Sequence, residues 1–218
     1  MKKLRKFSEE EGESEEVDVM SVFDMVQKPE PRVTGMYGDI NEERASEVVY
    51  GLMLLHHSTS GDGEIEISND DGGSAQEIEK PAPIDFYVST HGGSATEMFA
   101  IYDAMRSIRD TTPIRTHGLG KVMSAGVLLL AAGTKEERRI GKYCRIMIHG
   151  VVAGQHGFIA DVENEFTETK NTQKMYIKAL SEETNMNEKY IKKLMSKNKN
   201  IYLNAEEAVN LGIADIIV

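Results

Sequence analysis

From Arg32 onward, apolar residues fall into short β-prone runs, each followed by a glycine-bearing turn and a stretch at helical spacing. Residues 32–37 read as a strand ended by Gly38. Asp39 or Asn41 then caps a helix over 42–55 whose Ala45, Val48, Val49, Leu52 and Leu55 share one face. A buried-type strand over 84–88 runs into the turn 89–94. The next helix, 96–109, turns Met98, Ile101, Tyr102, Met105 and Ile108 inward. Residues 113–118 read as a strand, 120–126 as a loop, and 127–132 as a short apolar helix closed by Gly133. Residues 145–149 form another apolar strand, and 150–157 an extended, glycine-punctuated segment.

A long amphipathic helix is expected over 160–183. Its Val162, Phe166, Thr169, Gln173, Tyr176 and Leu180 recur at three- and four-residue steps, the stripe of a helix packing along another helix. Helices near 187–195 and 205–211 and a last strand at 214–218 complete the pattern. Strand–helix alternation of this kind argues an α/β fold, and no repeat period is present.

Two segments stand outside the alternation. Residues 1–31 read as a flexible arm, because Glu9, Glu10, Glu11, Glu13, Glu15 and Glu16 repel one another and bury nothing. Its few apolar residues (Val19, Met20, Val22, Phe23, Met25) could dock somewhere before Pro29 and Pro31 break any helix. Residues 58–83 form an acidic, glycine-bearing insert without helical period (Gly61, Gly63, Gly72, Gly73). The ligand spacing of an EF-hand is absent from it, so a solvated loop or exposed hairpin is the expectation. The folded body is thus 32–218.

Composition narrows the function classes. Of the 218 residues, 40% are apolar, enough for a folded core. The net charge is −11, and with no basic stripe the chain should repel a nucleic-acid backbone, so no nucleic-acid partner is expected. Cys144 is the single cysteine; it can form no internal disulfide and no thiolate cluster for a metal. The basic start runs into acidic residues where a signal peptide needs an apolar run. The longest apolar stretch, 127–132, is too short to span a bilayer. A cytoplasmic protein without membrane contact is expected.

Three segments carry candidate chemistry. Gly92-Gly93 follows a buried strand and lets backbone N–H groups approach a ligand closely. Ser124 stands where a glycine-bearing loop turns into an apolar helix, whose first N–H groups lack internal partners and favour developing negative charge. His149 ends an apolar strand that holds an imidazole stiffly. A serine, a base and two oxyanion donors are the minimum for acyl transfer. Each signal has an ordinary reading: a serine at a helix start is usually a cap, and a lone histidine is usually structural. The Gly-x-Ser-x-Gly elbow is not met, because Val122 stands at its first glycine. His56 and His57 read as helix-dipole partners, His117 and His156 show no ligand spacing, and Cys144 reads as an inert core thiol.

In order, these segments resemble the proteolytic subunit of Clp protease, the ClpP family. Ser89-Thr90-His91-Gly92-Gly93-Ser94 is similar to the family's Asn-Ser-Pro-Gly-Gly-Ser turn. Lys121-Val122-Met123-Ser124-Ala125-Gly126, with Leu128-Leu129-Leu130-Ala131-Ala132-Gly133, resembles its nucleophile segment. Arg145-Ile146-Met147-Ile148-His149 matches its Arg-Val-Met-Ile-His strand. Tyr202-Leu203-Asn204-Ala205-Glu206-Glu207-Ala208, then Leu211-Gly212-Ile213-Ala214-Asp215, resembles its C-terminal stretch.

The resemblance implies a ClpP/crotonase-like fold of repeated strand–strand–helix units with a long protruding handle helix. It implies Ser124 as nucleophile, His149 as general base, and Gly92 and Ala125 as oxyanion-hole donors. The family's third triad member, an aspartate, falls on Asn200. An asparagine can accept from the histidine Nδ1–H through its carbonyl oxygen but brings no charge; if its amide N–H faces the ring instead, the wrong tautomer costs about 10⁴ in kcat. Asn198-Lys199 replaces an acidic–Arg pair, Phe158 replaces a glutamine, Asp161 keeps an acidic partner, and His91 replaces a proline and is expected to line the cleft.

The implied activity is endopeptidase cleavage of unfolded polypeptides inside two stacked heptameric rings, fed by a Clp-type AAA+ unfoldase. No cofactor is implied; ATP belongs to the partner. Three alternatives stand beside it: a phage-type head-maturation protease, a non-catalytic ring subunit, and a crotonase-like acyl-CoA enzyme, the last having no reason for Ser124 with His149.

Overall fold

A computed structural model of the chain describes residues 31–60, 82–196 and 199–218. The acidic arm apart from Pro31, positions 61–81 of the insert, and Asn198 lie outside the described residues. Strand and helix alternate through β1 (Val33–Ile40), α1 (Glu42–Ser60), β2 (Ile84–Gly93), α2 (Ala95–Ile108), β3 (Ile114–Met123) and α3 (Ala125–Ala131). There follow β4 (Arg139–Ile140), β5 (Arg145–Ile148), α4 (Ile159–Glu183), α5 (Glu188–Met195), β6 (Ile201–Leu203), α6 (Ala205–Asn210) and β7 (Ile216–Ile217).

The strands form one sheet in the order β1–β2–β3–β4–β7, with every pair along that path parallel. β5 leaves the path: it pairs in parallel with the end of β3, and β6 runs antiparallel beside it. Parallel neighbours need crossover connections, and the amphipathic helices supply them while covering the sheet. Ile84, Phe86 and Val88 of β2 alternate into a core shared with Met98, Ile101 and Met105 of α2 and with Leu128–Leu130 of α3. That is the α/β architecture the alternation predicts.

The boundaries differ where glycine misled the sequence reading. β2 runs on through Gly93, and β3 through Met123, across segments expected to be a turn and a loop. Glycine did not end these strands because the ladder resumes after a register shift. Thr90 pairs with Val122, and Gly92 and Gly93 pair with Asp39 and Ile40. β1 likewise passes Gly38 to reach Ile40. α1 extends to Ser60, so the first three positions of the expected insert are helical, and His56 lies inside the helix with its Nδ1 2.8 Å from Thr112 Oγ1. β4 and β6, of two and three residues, are too short to leave a periodic signal.

α4 is the long helix predicted, yet only its C-terminal part is packed. Tyr176, Ile177, Ala179 and Leu180 are buried, and the helix lies against α3 and α5. Phe158, Ile159 and Phe166, at the other end, are 84%, 80% and 55% exposed. The first half of the apolar stripe therefore has no partner helix within the described residues.

At the end of α4, Glu183 is fully buried and accepts hydrogen bonds from Tyr102 (3.0 Å), Arg106 (2.7 Å) and Arg109 (2.9 Å). Lys135 Nζ and the buried Arg138 reach the Glu183 carbonyl, and Arg138 also pairs with Asp215. This network ties α2, α4 and the C-terminal segment together. Burial alone would raise the Glu183 carboxyl, and hydrogen bonds from Arg109 and Arg106 reverse that and hold it below its ordinary 4.5. A depressed acid stabilises the fold above its unfolded value, and that contribution is lost as pH falls through the carboxylate range. Glu183→Ala should cost about 3–5 kcal/mol, because it leaves buried guanidinium charge uncompensated. Denaturant unfolding should show this deficit at pH 7 shrinking toward pH 3; an unchanged midpoint at pH 7 would refute the role.

Candidate active site

β3 ends at Met123 and α3 begins at Ala125, so Ser124 alone makes the corner between strand and helix. Its backbone sits at φ 54°, ψ −123°, a region that costs a side-chain-bearing residue on the order of 1–3 kcal/mol. Three hydrogen bonds hold it there. Its N–H donates to the Met147 carbonyl of β5 at 2.7 Å. Its carbonyl accepts from Val127 N–H at 3.0 Å and from the Tyr176 hydroxyl at 2.8 Å. The side chain makes no capping bond to α3, so the usual employment of a serine at a helix start is absent. Ser124 instead lines a cavity of about 280 Å³ with His91, Met98, His149 and Tyr176.

Sheet register brings the other two residues alongside. Met123 of β3 pairs with Met147 of β5, and Ile148 of β5 pairs with Ile201 of β6. Ser124 follows β3, His149 follows β5, and Asn200 precedes β6. Neighbouring strands lie about 4.8 Å apart, so serine, histidine and asparagine stand in that order along one edge of the sheet. His149 lines both the Ser124 cavity and an adjoining one of about 600 Å³ that Gln173, Lys199 and Asn200 also line. Among the described residues, the His149 ring and the Asn200 amide form no hydrogen bond with each other or with Ser124. Such bonds commonly tighten only when a substrate is bound.

Gly92 closes the site from the β2 side. A Cβ there would lie 2.6 Å from Ser124 Cβ and 3.0 Å from its Oγ, and φ is +105°. Only glycine fits, as the glycine pair in the sequence suggests. The two amides nominated as oxyanion donors are in different states. Ala125, first residue of α3, has an N–H with no partner inside the helix. The Gly92 N–H donates to Thr90 Oγ1 at 2.9 Å and must turn from it to serve a ligand.

A serine hydroxyl freed of capping, an imidazole on the adjoining strand and an unspent helix N–H are the parts acyl transfer needs. His91 does line the cleft. Tyr176 is the residue that the sequence reading missed: it counted as one more member of a packing stripe, and nothing in the spacing announces a hydroxyl aimed at the serine carbonyl. The remaining histidine and thiol readings are structural. His117 Nε2 lies 2.8 Å from Asp85 Oδ1, with its ring stacked on Tyr87. Cys144 is buried, which pushes its thiol up to about 11. Among the described residues no cluster of side chains could hold a metal ion, and no helix is long and apolar enough to cross a membrane.

Gly92→Ala is the sharpest test of this geometry. Displacing the serine by about 1 Å should lower its reactivity on the order of 100-fold. The rate of serine-directed fluorophosphonate labelling measures it, and a rate within twofold of wild type would contradict the close approach.

A family model described as Clp protease matches residues 74–218. The ATP-dependent Clp protease proteolytic subunit of Borreliella afzelii (strain PKo) is 29% identical over 187 residues, covering 86% of this chain and 83% of the relative. The ATP-dependent Clp protease proteolytic subunit 4 of Rhodococcus jostii (strain RHA1) is 33% identical over 135 residues, covering 62% and 68% respectively.

Proposed function

The chain belongs to the Clp protease family, and we propose that Ser124, His149 and Asn200 carry out its peptide-bond hydrolysis. It is a serine-type endopeptidase subunit. The observation that carries the residue assignment is the strained Ser124 corner, whose hydroxyl caps nothing and whose backbone is bonded to the strand that leads to His149.

In this reading His149 takes the Ser124 Oγ proton as the oxygen attacks the substrate carbonyl. The tetrahedral oxyanion accepts from Ala125 N–H, joined by Gly92 N–H once it leaves Thr90. His149 passes the proton to the departing amine. Water then attacks the acyl-enzyme by the same route, with His149 again as base. Asn200 accepts the Nδ1–H of His149 through Oδ1 and keeps the reactive nitrogen turned toward Ser124. It contributes no charge to the imidazolium, so chemistry is slower than with a carboxylate.

The subunit assembles as two stacked heptameric rings, and a Clp-type AAA+ unfoldase supplies unfolded polypeptide in the cytoplasm. Exposed Phe158, Ile159 and Phe166 on the free end of α4 support burial against a second ring. Asp161 and Lys199 would form an ion pair across it, worth about 0–1 kcal/mol and weakened by salt. The enzyme needs no cofactor of its own; ATP is used by the partner.

Labelling with a fluorophosphonate should modify Ser124 alone, and Ser124→Ala should remove labelling and peptide cleavage while the assembly persists. Undiminished labelling of that variant would overturn the assignment. Asn200→Asp should raise kcat on a small fluorogenic peptide about tenfold with little change in KM, equivalent to about 1.4 kcal/mol of transition-state stabilisation. No gain from an inactive starting enzyme would favour a structural ring subunit. Sedimentation should show a tetradecamer that splits into heptamers at high salt, and a strict monomer at micromolar concentration would contradict the assembly.

A further inference from the structure

We propose that Tyr176 is a positioning residue that aims the Ala125 amide at the oxyanion. This rests on the reading of Ser124 as nucleophile and Ala125 N–H as donor. The Tyr176 hydroxyl donates to the Ser124 carbonyl at 2.8 Å. That carbonyl and the Ala125 N–H are the two ends of one peptide unit, which is planar with the groups pointing in opposite directions. Fixing the oxygen fixes the direction of the N–H. A donor on the oxygen also polarises the unit and makes the N–H a stronger donor.

Tyr176 is placed to do this firmly. It is 5% exposed, and its neighbours Ile177, Ala179 and Leu180 anchor the same turn of α4 in the core. Burial pushes its phenol well above the usual range, so it stays a neutral O–H donor across the working pH of an enzyme. The bond is not needed merely to satisfy the carbonyl, which already accepts from Val127 N–H at 3.0 Å. It is an added restraint on a residue held at φ 54°, where the backbone would otherwise relax. Tyr176 also lines the cavity that holds Ser124.

Tyr176→Phe keeps the ring and removes only the donor. The assembled enzyme should lose about tenfold in kcat on a small fluorogenic peptide, with KM within twofold and the pH–rate midpoint unmoved. The end-point fluorophosphonate titre per subunit should stay at the wild-type value while the labelling rate falls by the same factor. Affinity for a peptide boronate, which presents a tetrahedral oxygen, should fall in parallel with kcat/KM. Unchanged kcat per titrated site would overturn the proposal, as would a loss matched by a lower titre, the signature of misfolded subunits. Should Tyr176→Phe fail to assemble, 3-fluorotyrosine at this position keeps the hydroxyl and strengthens it as a donor. A faster labelling rate is then expected, and an unchanged rate would refute the role. If Ser124→Ala still labels, the nucleophile assignment fails; if it does not and Tyr176→Phe is silent, only the present inference fails.

Discussion

One hydrogen bond organises the candidate site of this protein: the Ser124 N–H on the Met147 carbonyl. It continues the β3–β5 ladder one residue past Met123, into a position where the backbone has already left strand geometry. Because β5 is also paired with β6, the same register that fixes Ser124 brings His149 and Asn200 to neighbouring strand ends. The site is largely a property of strand pairing, to which β2 adds His91 and Gly92.

Strain at the corner is sustained by what surrounds it. The positive φ of Ser124 is opposed by bonds from three separate elements: β5, the first turn of α3, and α4. α4 in turn is held at its far end by the buried Glu183, through which α2 and the C-terminal segment share one charge network. α4 is thus locked at one end and exposed at the other, and its packed half supports the Ser124 corner.

Much of this was legible in the sequence, for identifiable reasons. The alternation of apolar runs with helical spacing gave the α/β class, since a buried parallel sheet leaves that pattern. Ser124, His149 and the glycine pair stand out because each borders an apolar run: Ser124 before one, His149 and the glycines after one. The strand ends expected at 37, 88 and 118 fall short of Ile40, Gly93 and Met123, because glycine marks a turn and an irregular strand alike. Here the ladder shifts register and resumes. The Thr90 hold on the Gly92 amide and the Tyr176 contact depend on side chains meeting across elements, and local pattern carries no trace of them. Asn200 was found only through family resemblance, as nothing about a lone asparagine before a short strand suggests chemistry.

A structure of the assembled particle reacted with a peptide boronate would test the central claim most directly. The account predicts a bond from Ser124 Oγ to boron, a boronate oxygen within hydrogen-bond distance of Ala125 N and of a Gly92 N turned away from Thr90, and Asn200 Oδ1 accepting from His149 Nδ1. A boronate bonded elsewhere, or an Asn200 amide turned away from a His149 that does not reach Ser124, would contradict it.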